Sequence, residues 1–140
     1  AAAPWIALAT KPVNTQRSID TGGRAVFRVN GPEATGTDRS KPTHLRSAAS
    51  VRDGKWHHLL GVYDGRQMAL WVDGRLEGTL GASGSVTINA EPLWLGNNSS
   101  DRAQAFRGYL DDARVYERAV NPKEIVGDLT QGVETTSASK

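Results

Sequence analysis

The chain reads as an all-β protein of antiparallel strands, on three observations. Residues 57–63 and 68–72 are runs of strand-forming composition on either side of Asp64-Gly65, a dipeptide that readily takes the positive backbone angles of a two-residue hairpin turn. A second Asp-Gly, Asp73-Gly74, ends the returning strand. The 140 residues include 15 Gly and 6 Pro, with 38% apolar and 23% charged, the balance of an ordered, turn-rich chain.

Taken in order, Trp5 to Pro12 is read either as a degenerate early strand or as the strand that follows it. Residues 24–29 alternate after the turn signal Thr21-Gly22-Gly23, with Ala25, Phe27 and Val29 on one face and Arg24, Val26 and Arg28 on the other. Residues 30–41 are a loop by composition, long enough to carry function or to be a plain surface connection. In the hairpin, Met68, Leu70 and Val72 share one face and Gln67, Ala69 and Trp71 the other. Residues 76–80 weakly continue it and 81–84 form a turn. Short strands follow at 86–88 and 93–95, then a polar loop at 96–101. Residues 109–116 are apolar on both faces, as in a central strand. Asn121-Pro122-Lys123-Glu124 starts the one short helix, with Asn as cap, Pro at the first helical position and Glu three residues after the cap. Residues 1–131 form a single domain, and 132–140, without periodicity, a flexible tail or linker.

Composition also excludes. With no cysteine, disulfides, thiolate metal sites and cysteine nucleophiles fall away. No apolar run is long enough to span a bilayer, and the first residues lack the basic start and apolar stretch of a secretory signal. The net charge is +2 with the arginines scattered along the chain, so no footprint for nucleic acid is expected.

The segments Asp53-Gly54-Lys55-Trp56-His57-His58, Tyr63-Asp64-Gly65 and Leu70-Trp71-Val72-Asp73-Gly74, followed by Phe106-Arg107-Gly108-Tyr109-Leu110-Asp111-Asp112-Ala113-Arg114-Val115-Tyr116, closely resemble the laminin-G-like, concanavalin A-like jelly-roll family. Its members carry DGxWHHVAVTYDG…LYVDG and then FxGxIDEVRIYxRALSxxEI. The resemblance covers roughly residues 22–125 and implies an antiparallel β-sandwich, with Trp56 in the core and a secreted or cell-surface location. The family's early strands, with FDG and FTISAWVKP, have no convincing counterpart. The N-terminal edge therefore reads as shortened, and a sandwich missing edge strands is expected to self-associate. Many members also hold calcium, which implies Asp111 and Asp112 as metal ligands. The early ligands of that site are not found, and the alternative is that Asp111 accepts hydrogen bonds from loop backbone.

His57 and His58 are neighbours on a strand, so they point to opposite faces and cannot chelate one ion; a structural role is expected for both. His44 falls in a loop region. Glycosidases need two carboxylates about the scissile bond, and no Glu-x-Asp-x-x-Glu spacing occurs, so an enzyme is not expected. The remaining chemistry is recognition. Sugar C–H faces stack on indole rings while hydroxyls take polar partners in a wet, shallow site. The candidates are Trp71 and Trp94, for which packing is the competing reading, with Asn97, Asn98, Asp101 and Arg102 as a polar rim. The expected function is a non-catalytic, lectin-like module binding oligo- or polysaccharide within a larger protein, with an adhesion module for protein partners as the alternative.

Overall fold

The computed structural model describes residues 5–12, 22–29, 33–34, 43–86 and 108–125. Within them the strands are β1 (Trp5–Pro12), β2 (Arg24–Val29), β3 (Glu33–Ala34), β4 (Thr43–Ser50), β5 (His57–Tyr63), β6 (Gln67–Val72), β7 (Arg75–Ser83) and β8 (Gly108–Tyr116). A single helical turn, α1, covers 122–125. The strands form a six-stranded sheet in the order β3-β7-β6-β5-β1-β8 and a two-stranded sheet, β2-β4, every pairing antiparallel.

The two layers meet at Gly61. A Cβ there would lie 2.5 Å from Phe27 Cδ2, so only glycine lets the β2 phenylalanine lie directly on β5. Around this contact Leu59, Tyr63, Met68, Leu70 and Val72 are buried against Ala25 and Leu45, with Met68, Leu70 and Val72 on one face as the alternation requires. The outer face of the large sheet has a second, smaller core, where Leu60 and Val62 pack with Val120 and Ile125. β5 is therefore covered on both sides.

The two Asp-Gly turns are built differently. Tyr63 pairs with Met68 and Asp64 N donates to Gln67 O at 3.2 Å, which makes Gly65 and Arg66 the central residues. Gly65 has φ +92°, the arrangement of a type II′ turn. Asp64 stands one place earlier than the sequence implied, and its Oδ1 accepts from Arg66 N and Gln67 N at 2.8 and 2.7 Å. At the second turn Val72 pairs with Arg75 and both Asp73 and Gly74 have positive φ, 52° and 78°, as in type I′.

β1 lies between β5 and β8. Several expectations are corrected. β8, expected to be central, is last in its sheet among the described residues and mostly exposed, because the apolar cover stops short of it. β7 runs through the expected turn to Ser83, and its far end pairs with Glu33–Ala34 inside the expected loop. His44 is on β4, opposite Arg28. The helix start agrees: Asn121 Oδ1 accepts from Lys123 N at 3.0 Å, while Glu124 is held by Arg118 Nη2 at 2.7 Å. Of the expected strand at 86–88 only Val86 is described, and it is in no strand; the expected strand at 93–95 and the tail at 132–140 lie outside the described residues.

β4 carries an irregularity that composition hides. Between the pairs Arg24↔Ser50 and Val26↔Arg46, three residues of β4 face one of β2, and the ladder is interrupted. Ser47, 1% exposed, fills the gap: its Oγ accepts from Ala25 N at 2.9 Å and donates to Ala49 O at 2.6 Å. The freed N–H groups of Ala48 and Ala49 both donate to Glu77 Oε2 of β7, each at 3.0 Å, which ties the small sheet to the large one.

Candidate functional site

The best-organised polar cluster lies where the β4–β5 turn meets the β6–β7 turn. His57 Nδ1 is 2.7 Å from Asp73 Oδ2 and its Nε2 is 2.8 Å from Asp53 Oδ1, with the imidazole side chain 12% exposed. A neutral imidazole has a single N–H, so two carboxylates at hydrogen-bond distance select the charged ring. Burial pushes the His57 pKa down, but the hydrogen bonds to Asp73 and Asp53 outweigh it and the net shift is upward. The bond to His57, followed by that from Lys55 N, holds Asp53 below the usual carboxylate range. Asp73 Oδ1 also accepts from His58 N at 2.8 Å. Both carboxylates are thus spent on the clamp and are not poised as an acid and a base across a substrate. The structural role expected for the WHH segment is what the geometry shows for His57.

The clamp fixes the turn that carries Trp56. This indole is 50% exposed, correcting the core assignment: it precedes β5, beyond the reach of the residues that cover Leu60 and Val62. It directly precedes His57, at the start of β5. The register pairs His58 with Ala9 and Ala9 with Asp111, then Lys11 with Tyr109. Directly opposite residues share a face, so Tyr109, 66% exposed, is on the face of His58, two strands away, at the end of the sheet where the chain from Trp56 enters β5. His58, level with Asp111 through Ala9, is half-buried, its pKa lowered by burial, with Asp73 and Asp112 pulling upward and Arg114 adding to the fall.

Asp111 and Asp112 border this open area. Asp112 is in a bulge where β8 slips against β1 between Ala7 and Ala9, and its φ is +50°. Asp112 Oδ1 accepts from Arg114 Nε at 2.7 Å, and Asp111 Oδ1 accepts from Asp112 N at 2.8 Å. Asp111 is thus bonded to its neighbour's backbone. No three of His, Cys, Asp and Glu gather to hold a metal ion among the described residues, and a guanidinium on Asp112 opposes a cation there.

Of the other sequence candidates, Trp71 is half-buried and packs against the Leu60–Val62 cluster. Trp94, Asn97, Asn98, Asp101 and Arg102 lie outside the described residues. A group that sequence reading missed is on the small sheet. The arginines, scattered along the chain, converge through the β2–β4 register: Arg24 and Arg28 are exposed on the face opposite the core, and Arg46 and His44 pair with Val26 and Arg28 on that same face.

Comparison with known proteins agrees with this architecture. The Laminin_G_3 family, described as the concanavalin A-like lectin/glucanases superfamily, matches residues 2–126. Pappalysin-1 of Mus musculus is 32% identical over 106 residues, 71% of this chain and 6% of that protein. Human laminin subunit alpha-3 is 35% identical over 85 residues, 59% of this chain and 2% of that protein. The chain therefore spans a small fraction of the curated relatives it matches. Those relatives are secreted or extracellular proteins, in line with the expected location, and no helix among the described residues is long and apolar enough to cross a membrane. With the family's match extending over most of its length and its sheets, hairpin and late strand in place, the chain belongs to the concanavalin A-like lectin/glucanases superfamily, in its laminin-G-like branch.

Proposed function

We propose that the domain is a non-catalytic carbohydrate-binding module of a larger secreted or cell-surface protein. The observation that carries this reading is the pair of exposed aromatics, Trp56 and Tyr109, at the uncovered end of the large sheet, where His58, Asp111 and Arg114 share the face of Tyr109. Two aromatic rings with charged and hydrogen-bonding groups beside them suit a sugar, whose C–H faces stack while its hydroxyls are oriented by polar neighbours. Laminin-G-like domains are generally non-catalytic, and the carboxylates of the clamp are committed to His57.

The test is a glycan array with wild type, Trp56→Ala, Tyr109→Ala and Trp94→Ala, each with and without calcium. Glycan binding that falls at least tenfold in the first two variants, with circular dichroism and melting temperature retained, supports this surface. Loss in Trp94→Ala alone moves the site to the loop at 97–102. A calcium-dependent melting temperature would restore a role for Asp111 and Asp112. Silence on glycans with a stable protein partner in pull-down replaces the reading with an adhesion module, and turnover of a polysaccharide would make the domain an enzyme.

A further inference from the structure

We propose that His57 is a positioning residue for Trp56: while its ring bridges Asp53 and Asp73 it holds the indole where a ligand meets it, and when the ring loses its proton the turn opens and recognition weakens. The inference rests on the reading that Trp56 contacts the sugar. Its basis is a closed loop in the chain. The bond between His57 Nε2 and Asp53 Oδ1, 2.8 Å, joins residues i and i+4, and Trp56 lies inside the loop it closes. The other ring nitrogen, Nδ1, is 2.7 Å from Asp73 Oδ2, which fastens that loop to the β6–β7 turn.

The two carboxylates are not held alike. Asp73 has a second hold on β5, since its Oδ1 accepts from His58 N and its own N donates to His58 O, both at 2.8 Å. Among the described residues, Asp53 is otherwise bonded to Lys55 N at 2.9 Å and paired with Lys55 Nζ at 3.8 Å, both within its own turn. That turn stands in open space: a Cβ at Gly54 would meet nothing within 4 Å. A neutral imidazole has one N–H, so deprotonation leaves one carboxylate facing a lone pair. The better-anchored Asp73 keeps the bond, Asp53 is released, and the loop around Trp56 opens. The charged groups facing His57 are Asp53 and Lys55 from one turn and Asp73 from the other; its register partner on β1 is the uncharged Thr10. Bonds to both carboxylates keep the ring charged above its ordinary 6.5, so the loop is closed below about pH 6.5 and opens as pH rises through the folded value. His58 titrates on the other side of 6.5, which keeps the two rings distinguishable.

The test follows two NMR signals of wild type from about pH 5 to 9, the range in which an imidazole titrates. One is the His57 ring, identified by its loss in His57→Gln, and the other the Trp56 indole N–H, identified by its loss in Trp56→Phe. The indole signal is expected to shift at the His57 midpoint. Asp53→Asn, which leaves a single carboxylate on the ring, is expected to lower both midpoints together. On a glycan array, wild type is expected to bind about three- to tenfold more weakly at about pH 9 than at about pH 6, as the competent fraction falls, and His57→Gln to bind weakly at both. An indole signal that is still through the His57 transition, or that follows His58 instead, overturns the proposal. So does a His57 ring that does not titrate in this range, or wild-type glycan binding equal at the two pH values. An array silent at both, with the indole following His57, supports the positioning role and overturns the carbohydrate reading alone. If the variants do not fold, sequential assignment of labelled wild type identifies the two signals, and midpoints that differ refute the coupling.

Discussion

The two ends of β5 share one strand, one alternation and one face, yet they have opposite fates. At Leu60 and Val62 the outer face is closed by Val120 and Ile125, brought over the sheet by the chain after β8. At His58, Trp56 and, across β1, Tyr109, nothing among the described residues closes it and large rings remain in water. The strand's own pattern does not distinguish these ends. A covering segment half a chain away decides which apolar groups are core and which are surface.

The comparison breaks most visibly at the covered end. Leu60→Ala should cost about 2–5 kcal/mol of unfolding free energy, the usual toll of a buried leucine and the cavity it leaves, read from a lower urea midpoint at constant m-value. At the boundary between the ends, Asp73→Ala should cost about 1–2 kcal/mol, since it removes acceptors from both His57 and the His58 backbone in a partly exposed place. A chemical denaturation series should show this loss shrinking when His57→Gln is already present.

The clamp also predicts a pH signature. His57 has a folded pKa above its ordinary 6.5, so its stabilisation is fully present below about pH 6.5 and is lost as pH rises through the folded value. Asp53 is shifted below 3.8, so its contribution is present above that and lost as pH falls through its folded value. His58 is shifted downward and works the other way from His57: its contribution is present above 6.5 and declines on acidification. Wild type minus His57→Gln should therefore show an advantage between about pH 4 and 6.5 that fades at alkaline pH. An advantage that grows with pH would contradict the charged clamp. The smallest stability effect belongs to the open end, where Trp56→Ala and Tyr109→Ala should each shift stability by less than about 0.5–1 kcal/mol, measured by thermal melts.

The hairpin and the helix start were legible in the sequence because β5 and β6 are runs of strand-forming residues bounded by turn dipeptides, and because the capping pattern at Asn121 is local. β4 was not. Thr-His-Leu-Arg-Ser-Ala-Ala-Ser is poor in strand-forming residues, and its irregular half is held by Ser47 and Glu77, a partner nearly thirty residues on. The arginine face was invisible for a related reason: Arg46 joins Arg24 and Arg28 only through register, which scattered positions in a sequence do not disclose. Trp56 was misplaced because the family resemblance implied burial, whereas the decisive fact was where the cover from Val120 and Ile125 ends. The strand at 109–116 had the apolar content of a central element without its neighbours.

β1's place between β5 and β8 has a consequence in time. Its two partners are made some fifty and one hundred residues later, so a chain emerging from the ribosome carries β1 unpaired until β5 is made, and with one edge open until β8 is made. Pairings of such long sequence separation are slow to form. The nascent chain must keep that edge from premature association, and it is closed only when β8 arrives.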